Sequence, residues 1–265
     1  MKKIVWIAWG GDLYGHKKAE SFSQKVKNAT KISFVKKLRG FASIFDPDAE
    51  YFEKNYVSRA RIAKTGYPGG LYMESYKKTY PYISTAEKYK NGETINIVIG
   101  HQADPILNHI RVLKQLLAYK DENIQIYLPL SYGDMRNAEN VEKFARENFG
   151  DKATVIKEFM PLNEYDQLLS QMDIAIFDTD RQIALGNINK YIYMKKKLYL
   201  SAGTVMHQYF SGKGVVLYDC EDIGRISFSD FVQDFDPDAG VAYLTKRLDR
   251  KTKIDEWAQV FSLIG

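Results

Sequence analysis

The residues best suited to chemistry stand in four short turns, each following an apolar run. Gly100-His101-Gln102-Ala103-Asp104-Pro105 leads into a helical stretch that carries Asn108 and His109. A glycine at a strand end lets a ligand approach the backbone, and the free N–H groups of a helix start attract phosphate. A plainer reading makes Asp104 an N-cap with Pro105 at the first helical position, and the two readings are compatible. In the turn Asp178-Thr179-Asp180-Arg181-Gln182-Ile183-Ala184-Leu185-Gly186-Asn187, Arg181 can grip a diphosphate bidentately while Gly186-Asn187 bring backbone donors. The competing reading pairs Arg181 with a neighbouring aspartate on the surface. Trp9-Gly10-Gly11-Asp12-Leu13-Tyr14 is a tight turn presenting Asp12 and Tyr14, although Gly-Gly-Asp is also ordinary turn chemistry. In Leu130-Ser131-Tyr132-Gly133, Tyr132 can stack on a base or a sugar.

Such turns need a scaffold, and the chain supplies one. Short apolar runs at Ile95–Ile99, Ile124–Leu130, Ala153–Ile156, Ile174–Phe177, Leu198–Leu200 and Val215–Tyr218 read as strands. Between them lie helical stretches: Pro105–Tyr119, with apolar residues on one face, then Ala138–Phe149, Asn163–Gln171 and Leu185–Met194. Strands alternating with helices predict parallel βαβ units and a doubly wound sheet, in which ligands bind beyond the carboxyl ends of the strands. The first part is less regular. Lys3–Trp9 and Phe41–Phe45 read as strands and Ala19–Leu38 as one or two basic helices; Asp46-Pro47 starts a short helix, and an extended stretch runs from Arg61 to Pro68-Gly69-Gly70. This is β-α-β again, but only part of a domain. The expected division is a partial domain over 1–85, a polar linker within 81–94, and a second domain over 95–265.

Composition narrows the possible classes. With 38 basic and 33 acidic residues the net charge is +5, too mild to argue for nucleic acid by itself. The lone Cys220 rules out an internal disulfide framework and fits a reducing compartment. Nineteen Tyr and fourteen Phe suit broad amphipathic surfaces. No signal peptide is evident, and no run approaches the roughly 20 apolar residues of a spanning helix. Neither G-x-G-x-x-G after a strand, G-x-x-x-x-G-K-[ST], zinc-ligand spacing nor a G-x-S-x-G elbow occurs, which lowers dinucleotide oxidoreductases, P-loop NTPases, zinc enzymes and elbow-type hydrolases.

Taken together, the turns resemble those of the bacterial 4-acetamido-4,6-dideoxygalactose (Fuc4NAc) transferase family of enterobacterial common antigen synthesis, glycosyltransferase family 56. Ile7-Ala8-Trp9-Gly10-Gly11-Asp12-Leu13-Tyr14 is similar to its WG-D-Y signature. Val98-Ile99-Gly100 with Asp104, Asn108 and His109 follows its VGNS-x-x-x-x-N-x-H turn, with His101-Gln102 where the family has Asn-Ser. Arg181-Gln182 with Gly186-Asn187 is similar to its RQ-x-x-x-G segment. The resemblance implies a GT-B architecture of two Rossmann-like domains with the active site in the cleft between them. The first would be partial, because family members carry roughly a further half-domain before the tryptophan motif. The final helix, Ile254–Leu263 with Trp257 and Phe261, would cross back onto the first domain.

By the same resemblance the second domain would hold a nucleoside diphosphate sugar, dTDP-linked, and the acceptor would be a lipid-linked saccharide; no cofactor or metal is implied. Gly100, His101, Asp104, Asn108, Tyr132, Arg181, Gln182, Gly186 and Asn187 would line the donor. Gly10, Gly11 and Tyr14 would lie on the acceptor side. Arg181 would neutralise the leaving diphosphate, with Asp12 as general base and His109 second to it. The protein would work in the cytoplasm on the inner face of the membrane. The basic stretch Lys17, Lys18, Lys25, Lys27, Lys31, Lys36, Lys37 and Arg39, with Phe22 and Phe34 interleaved, would meet anionic lipid or acceptor pyrophosphate rather than RNA. Two rival readings stand beside this one. Asp178-x-Asp180 could hold a divalent metal as in GT-A transferases, although Asp46-Pro47-Asp48, Asp234-Phe235-Asp236 and Asp236-Pro237-Asp238 show how readily that pattern recurs here. Alternatively, the chain is a non-catalytic or incomplete nucleotide-sugar-binding module.

Overall fold

The computed structural model describes residues 4–14, 21–66 and 76–264. Lys17, Lys18 and the Pro68-Gly69-Gly70 turn lie outside the described residues. The chain divides into two compact units, one of residues 1–73 with 245–265 and the other of residues 74–244.

In the first unit, β1 (Val5–Ala8), α1 (Gly11–Tyr14), α2 (Phe22–Val35), β2 (Gly40–Ser43), α3 (Asp46–Asn55) and β3 (Arg61–Lys64) build a parallel sheet of order β1-β2-β3. The pleat of β2 explains why both faces must be covered. Phe41 packs on one face with Ala8, Leu13, Val35, Phe52 and Tyr56, while Ala42 packs on the other with Ala63, Val260 and Leu263. The helix that supplies Val260 spans Arg250–Ser262. Its end is held by Arg39 Nε and Arg61 Nη2, which donate to the Leu263 carbonyl at 2.7 and 3.3 Å, where cations suit a helix C-terminus. The short helix expected after Asp46 forms one residue earlier than capping chemistry suggests: Phe45 is the N-cap and makes no side-chain cap bond.

The second unit begins with α4 (Thr85–Lys90), in the stretch expected as a linker. Ser84 accepts from the Glu87 N–H at 2.9 Å and donates to Asp234 at 2.6 Å, and Lys88 pairs with Asp173 at 2.6 Å. A Ser-x-x-Glu start is the capping signal that the polar composition concealed. After it come β4 (Ile95–Ile99), α5 (His109–Leu116), β5 (Ile124–Pro129), α6 (Met135–Phe149), β6 (Ala153–Ile156), α7 (Leu162–Gln171), β7 (Ile174–Phe177), α8 (Leu185–Tyr193), β8 (Lys197–Leu200), α9 (Val205–Ser211), β9 (Tyr218–Asp219), α10 (Phe228–Phe231) and α11 (Asp238–Leu248), which runs up to the closing helix α12 described above. All sheet pairings are parallel, in the order β6-β5-β4-β7-β8-β9. Ile95, Ile97 and Ile99 face one core with Val112, Leu116, Val141 and Ala145. On the other side of the sheet the rings of Phe177 and Tyr191 lie 6.0 Å apart. The last expected strand is shorter than its apolar run, because Gly214 turns at φ +82° and the Val215 N–H goes to the Phe210 carbonyl.

That strand order fixes where a ligand can sit. From β4 the chain winds outward through β5 and β6, then returns to place β7 on the opposite flank of β4. The connections after β4 and β7 therefore diverge, leaving a crevice at the carboxyl ends of these two strands. Two of the four turns singled out from the sequence are those connections.

Candidate functional site

The β4 turn is shaped by two left-handed residues. Gly100 has φ +66°, and its N–H donates to the Ile176 carbonyl of β7 at 2.9 Å. Asp104 caps the next turn by accepting from the Ile106 N–H at 3.0 Å, with Pro105 in its first helical turn. Only a 3-10 turn follows, Pro105–Leu107, before Asn108 turns left-handed at φ +45° and α5 begins. The single helix expected over Pro105–Tyr119 is thus broken. Asparagine tolerates this conformation, and here Asn108 Nδ2 donates to the Asp178 carbonyl at 3.2 Å, tying the β4 turn to the β7 turn.

Arg111, which the sequence reading passed over, makes the second tie. Its Nε and Nη2 bind the two carboxylate oxygens of Asp178 at 2.5 and 2.6 Å, and Ser201 Oγ adds a third bond at 2.7 Å. Asp178 is only 2 % exposed, and its carboxylate is fully engaged. A metal-binding Asp178/Asp180 pair is therefore disfavoured, because a cation would have to displace a bidentate guanidinium. Among the described residues no group of three or more His, Cys, Asp or Glu is arranged to hold a metal ion. The signal that could have identified Arg111 was its position, one turn into the helix that opens at the crevice.

Around this frame the expected donor-side residues converge. Arg181 stands 3.9 Å from Asp104, so the ion pair is made across to the other turn rather than to its own neighbours in sequence. Its side chain is 49 % exposed and available to a ligand. Gly133, at φ +105°, packs so closely that a Cβ there would lie 3.0 Å from the Asp104 nitrogen. This contact brings the Tyr132 ring to 6.2 Å from that of His101. Gln182 Oε1 is buried without a hydrogen-bond partner. Helix α8 opens on Ala184, left-handed at φ +62° and making no side-chain cap bond, so Gly186 and Asn187 lie in an uncapped first turn. Gly186 has open space around it, whereas the Asn187 side chain is committed to the Tyr165 hydroxyl at 3.2 Å. Asn187 can thus offer a ligand its backbone more readily than its amide.

His109, considered as a second base, is only 1 % exposed, lies against Gly100 and has no partner for either ring nitrogen. Burial, and then the neighbouring His101, push its imidazole down to about 4, and burial pushes His101 to about 4 as well. His109 thus packs beside the Gly100 turn at the end of β4, on the first residue of α5.

In the first unit, the turn after β1 carries Gly10 at φ +85°, Gly11, Asp12 and Tyr14. Asp12 accepts from Trp6 Nε1 at 2.7 Å and from the Trp9 N–H at 2.9 Å, while Lys31 Nζ donates to its carbonyl. Lys31 also lies 5.3 Å from the Trp6 ring centroid, and burial lowers its ammonium below the usual range. Tyr14 donates to Asp48 Oδ1 at 2.5 Å, and Asp48 Oδ2 is buried without a partner. Burial raises the Asp48 carboxyl to about 6. Asp48 escaped notice because it belongs to an Asp-x-Asp pattern that recurs by chance.

The family described as 4-alpha-L-fucosyltransferase glycosyl transferase group 56 matches residues 1–230. No curated protein sequence matches the chain. Among solved structures, a glycosyltransferase from Rickettsia africae is similar at a TM-score of 0.63 and 14% identity, covering 98% of this chain and 70% of its own. Sucrose-phosphate synthase from Thermosynechococcus elongatus gives 0.67 and 13%, covering 97% and 66%. WaaG, a glycosyltransferase involved in lipopolysaccharide biosynthesis, gives 0.59 and 13%, covering 96% and 73%. At these identities the likeness establishes a GT-B fold, and part of each neighbour has no counterpart here.

Proposed function

The chain belongs to glycosyl transferase group 56, the 4-alpha-L-fucosyltransferase family, and from that premise we propose that it moves a deoxyamino sugar of the Fuc4NAc type from a dTDP-linked donor onto a lipid-linked saccharide in cell-surface polysaccharide synthesis. The observation that carries this reading is the convergence of Gly100, Asp104, Asn108, Arg181 and Gln182 at the one place where the strand order of the second sheet reverses. The reaction breaks the bond between the anomeric carbon and the diphosphate, which gathers negative charge as it leaves. Arg181 and the free N–H groups in the first turn of α8 stabilise that charge. Asp12, steadied by two N–H donors, takes the proton of the attacking hydroxyl. No cofactor is needed, since sugar transfer from an activated donor involves no net oxidation. With Asp178 held by Arg111 and Ser201, the metal-free mechanism is the better supported of the two.

The direct assay supplies dTDP-Fuc4NAc with and without a lipid-linked saccharide and follows dTDP release. Release that depends on the acceptor is the expected result. A donor that binds but stays intact in its presence would instead favour the binding-module reading.

Contact with the inner face of a membrane is part of the same proposal. Among the described residues no helix is long and apolar enough to cross a membrane. Helix α2, however, leaves Phe22 and Val26, one turn apart, exposed, with Lys25, Lys36 and Lys37 nearby in sequence. Apolar anchors among lysines suit an anionic lipid surface, each lysine adding about 1 kcal/mol near the headgroups. Vesicles containing phosphatidylglycerol should sediment the protein at low salt and release it at high salt, whereas neutral vesicles should not. Phe22→Asp should weaken the attachment severalfold. Equal behaviour with both vesicle types would remove this part of the account.

A further inference from the structure

We propose that the paired imidazoles of His101 and His109 form a proton-accepting clamp for the donor's diphosphate, so that nucleotide binding draws protons from solution. The inference rests on the reading of the second unit as the donor site and adds what its buried histidines are for.

Two imidazoles stand at the end of β4, the central strand of the crevice: His101 follows Gly100 in sequence and His109 packs against it. His109 is almost wholly buried with both ring nitrogens unpartnered, and His101 Nδ1 is buried and unpartnered too. A neutral imidazole carries one N–H donor and one bare nitrogen. In His109, therefore, a donor and an acceptor are both left unsatisfied, which is costly in a buried site. Native proteins leave few groups in that state, and those that persist call for an explanation such as a bound ligand.

The placement indicates which ligand. Gly100 has no side chain, and a Cβ on it would come within 2.6 Å of His109 Nε2. The imidazole thus lies against the left-handed glycine where the chain leaves β4, at the carboxyl end of the strand, where ligands of open α/β sheets bind. The groups facing the pair are few. Asp104 acts on both rings, Arg181 stands 3.9 Å from Asp104, and the rings of Tyr132 and Phe177 each lie 6.2 Å from that of His101. Asp104 alone is too weak to hold the histidines charged: burial wins, and each stays neutral down to about pH 4.

A diphosphate changes that balance. Its oxygens accept from the ring N–H groups, and its charge favours the imidazolium form, raising both values in the complex. The sign follows from linkage. Between the free value near 4 and the higher bound value, binding takes protons up from solvent onto the ring nitrogens. Affinity is greatest at the acidic end and falls as pH rises through the bound value. When the nucleotide leaves, the protons return to solvent.

The test is calorimetry of dTDP-glucose on the whole chain at pH 6.5, in buffers of different ionisation enthalpy. Its diphosphate is esterified at both ends and has no proton of its own to lose near that pH. Uptake of about half a proton or more per nucleotide is expected, with Kd rising about tenfold from pH 5.5 to 7.5. His101→Gln and His109→Gln, which keep hydrogen bonding without titrating, should each reduce the uptake and flatten the pH profile. Binding without proton uptake in the unaltered protein would overturn the clamp while leaving the donor site standing, whether or not the variants fold. Uptake unchanged in both variants would do the same. No binding at any pH would remove the donor-site reading and the clamp with it.

Discussion

Arg181→Ala is expected to lower sugar transfer about 10²–10³-fold, the usual consequence of removing one preorganised donor from a developing anion. Donor binding should weaken about 10–100-fold, the range for a hydrogen-bonded charge. The fold should be unaffected. Arg181 is half exposed, and its ion pair to Asp104 is long at 3.9 Å, an arrangement that contributes little to stability. The thermal midpoint of the variant should therefore match that of the parent protein, which separates loss of a ligand contact from loss of structure. Arg181→Lys tests the geometry further. A single ammonium replaces a planar fork, so transfer should recover only in part. Normal donor affinity in Arg181→Ala would remove Arg181 from the site.

Asp12→Asn is expected to reduce kcat about 10²–10⁴-fold while leaving the KM for the donor nearly unchanged, because the proton of the acceptor hydroxyl has nowhere to go. The carboxylate is gripped on both oxygens, by Trp6 Nε1 and by the Trp9 N–H. An amide can accept only one of these bonds well and turns its NH2 toward the other donor, at a local cost of about 1 kcal/mol. A small fall in stability should accompany the loss of turnover. Steady-state kinetics beside a urea titration would distinguish the two effects. Full turnover in Asp12→Asn would exclude it as the base and direct attention to Asp48, whose carboxyl is already raised to about 6 by burial.

How much of this was visible in the sequence depends on how far each feature is encoded locally. The second sheet was legible because parallel strands covered on both faces become near-continuous apolar runs, as in Ile95–Ile99 and Ile174–Phe177. The turns after β4 and β7 were legible for the same reason, since they begin where those runs end. The break at Asn108 was not. Apolar spacing continues through it, and only the hydrogen bond to Asp178, far away in sequence, accounts for the left-handed turn. Arg111 was invisible on similar grounds: its partners, Asp178 and Glu221, are chosen by the fold. Helix α4 was lost to composition, since a polar stretch with Pro81, Asn91 and Gly92 looks like a linker until Ser84 and Glu87 are read as a cap. Asp48 was discounted for the opposite reason, because a common pattern concealed one buried member. In each case the missed residue is polar and takes its role from a contact rather than from a period.

The central claim is that the crevice after β4 and β7 holds a nucleoside diphosphate sugar without a metal. Calorimetry with dTDP, UDP, GDP and NAD, each with and without magnesium, tests it most directly. The account predicts binding of dTDP, unchanged by magnesium and lost in Arg181→Ala. Absence of binding by every nucleotide, or binding that requires magnesium, would contradict it.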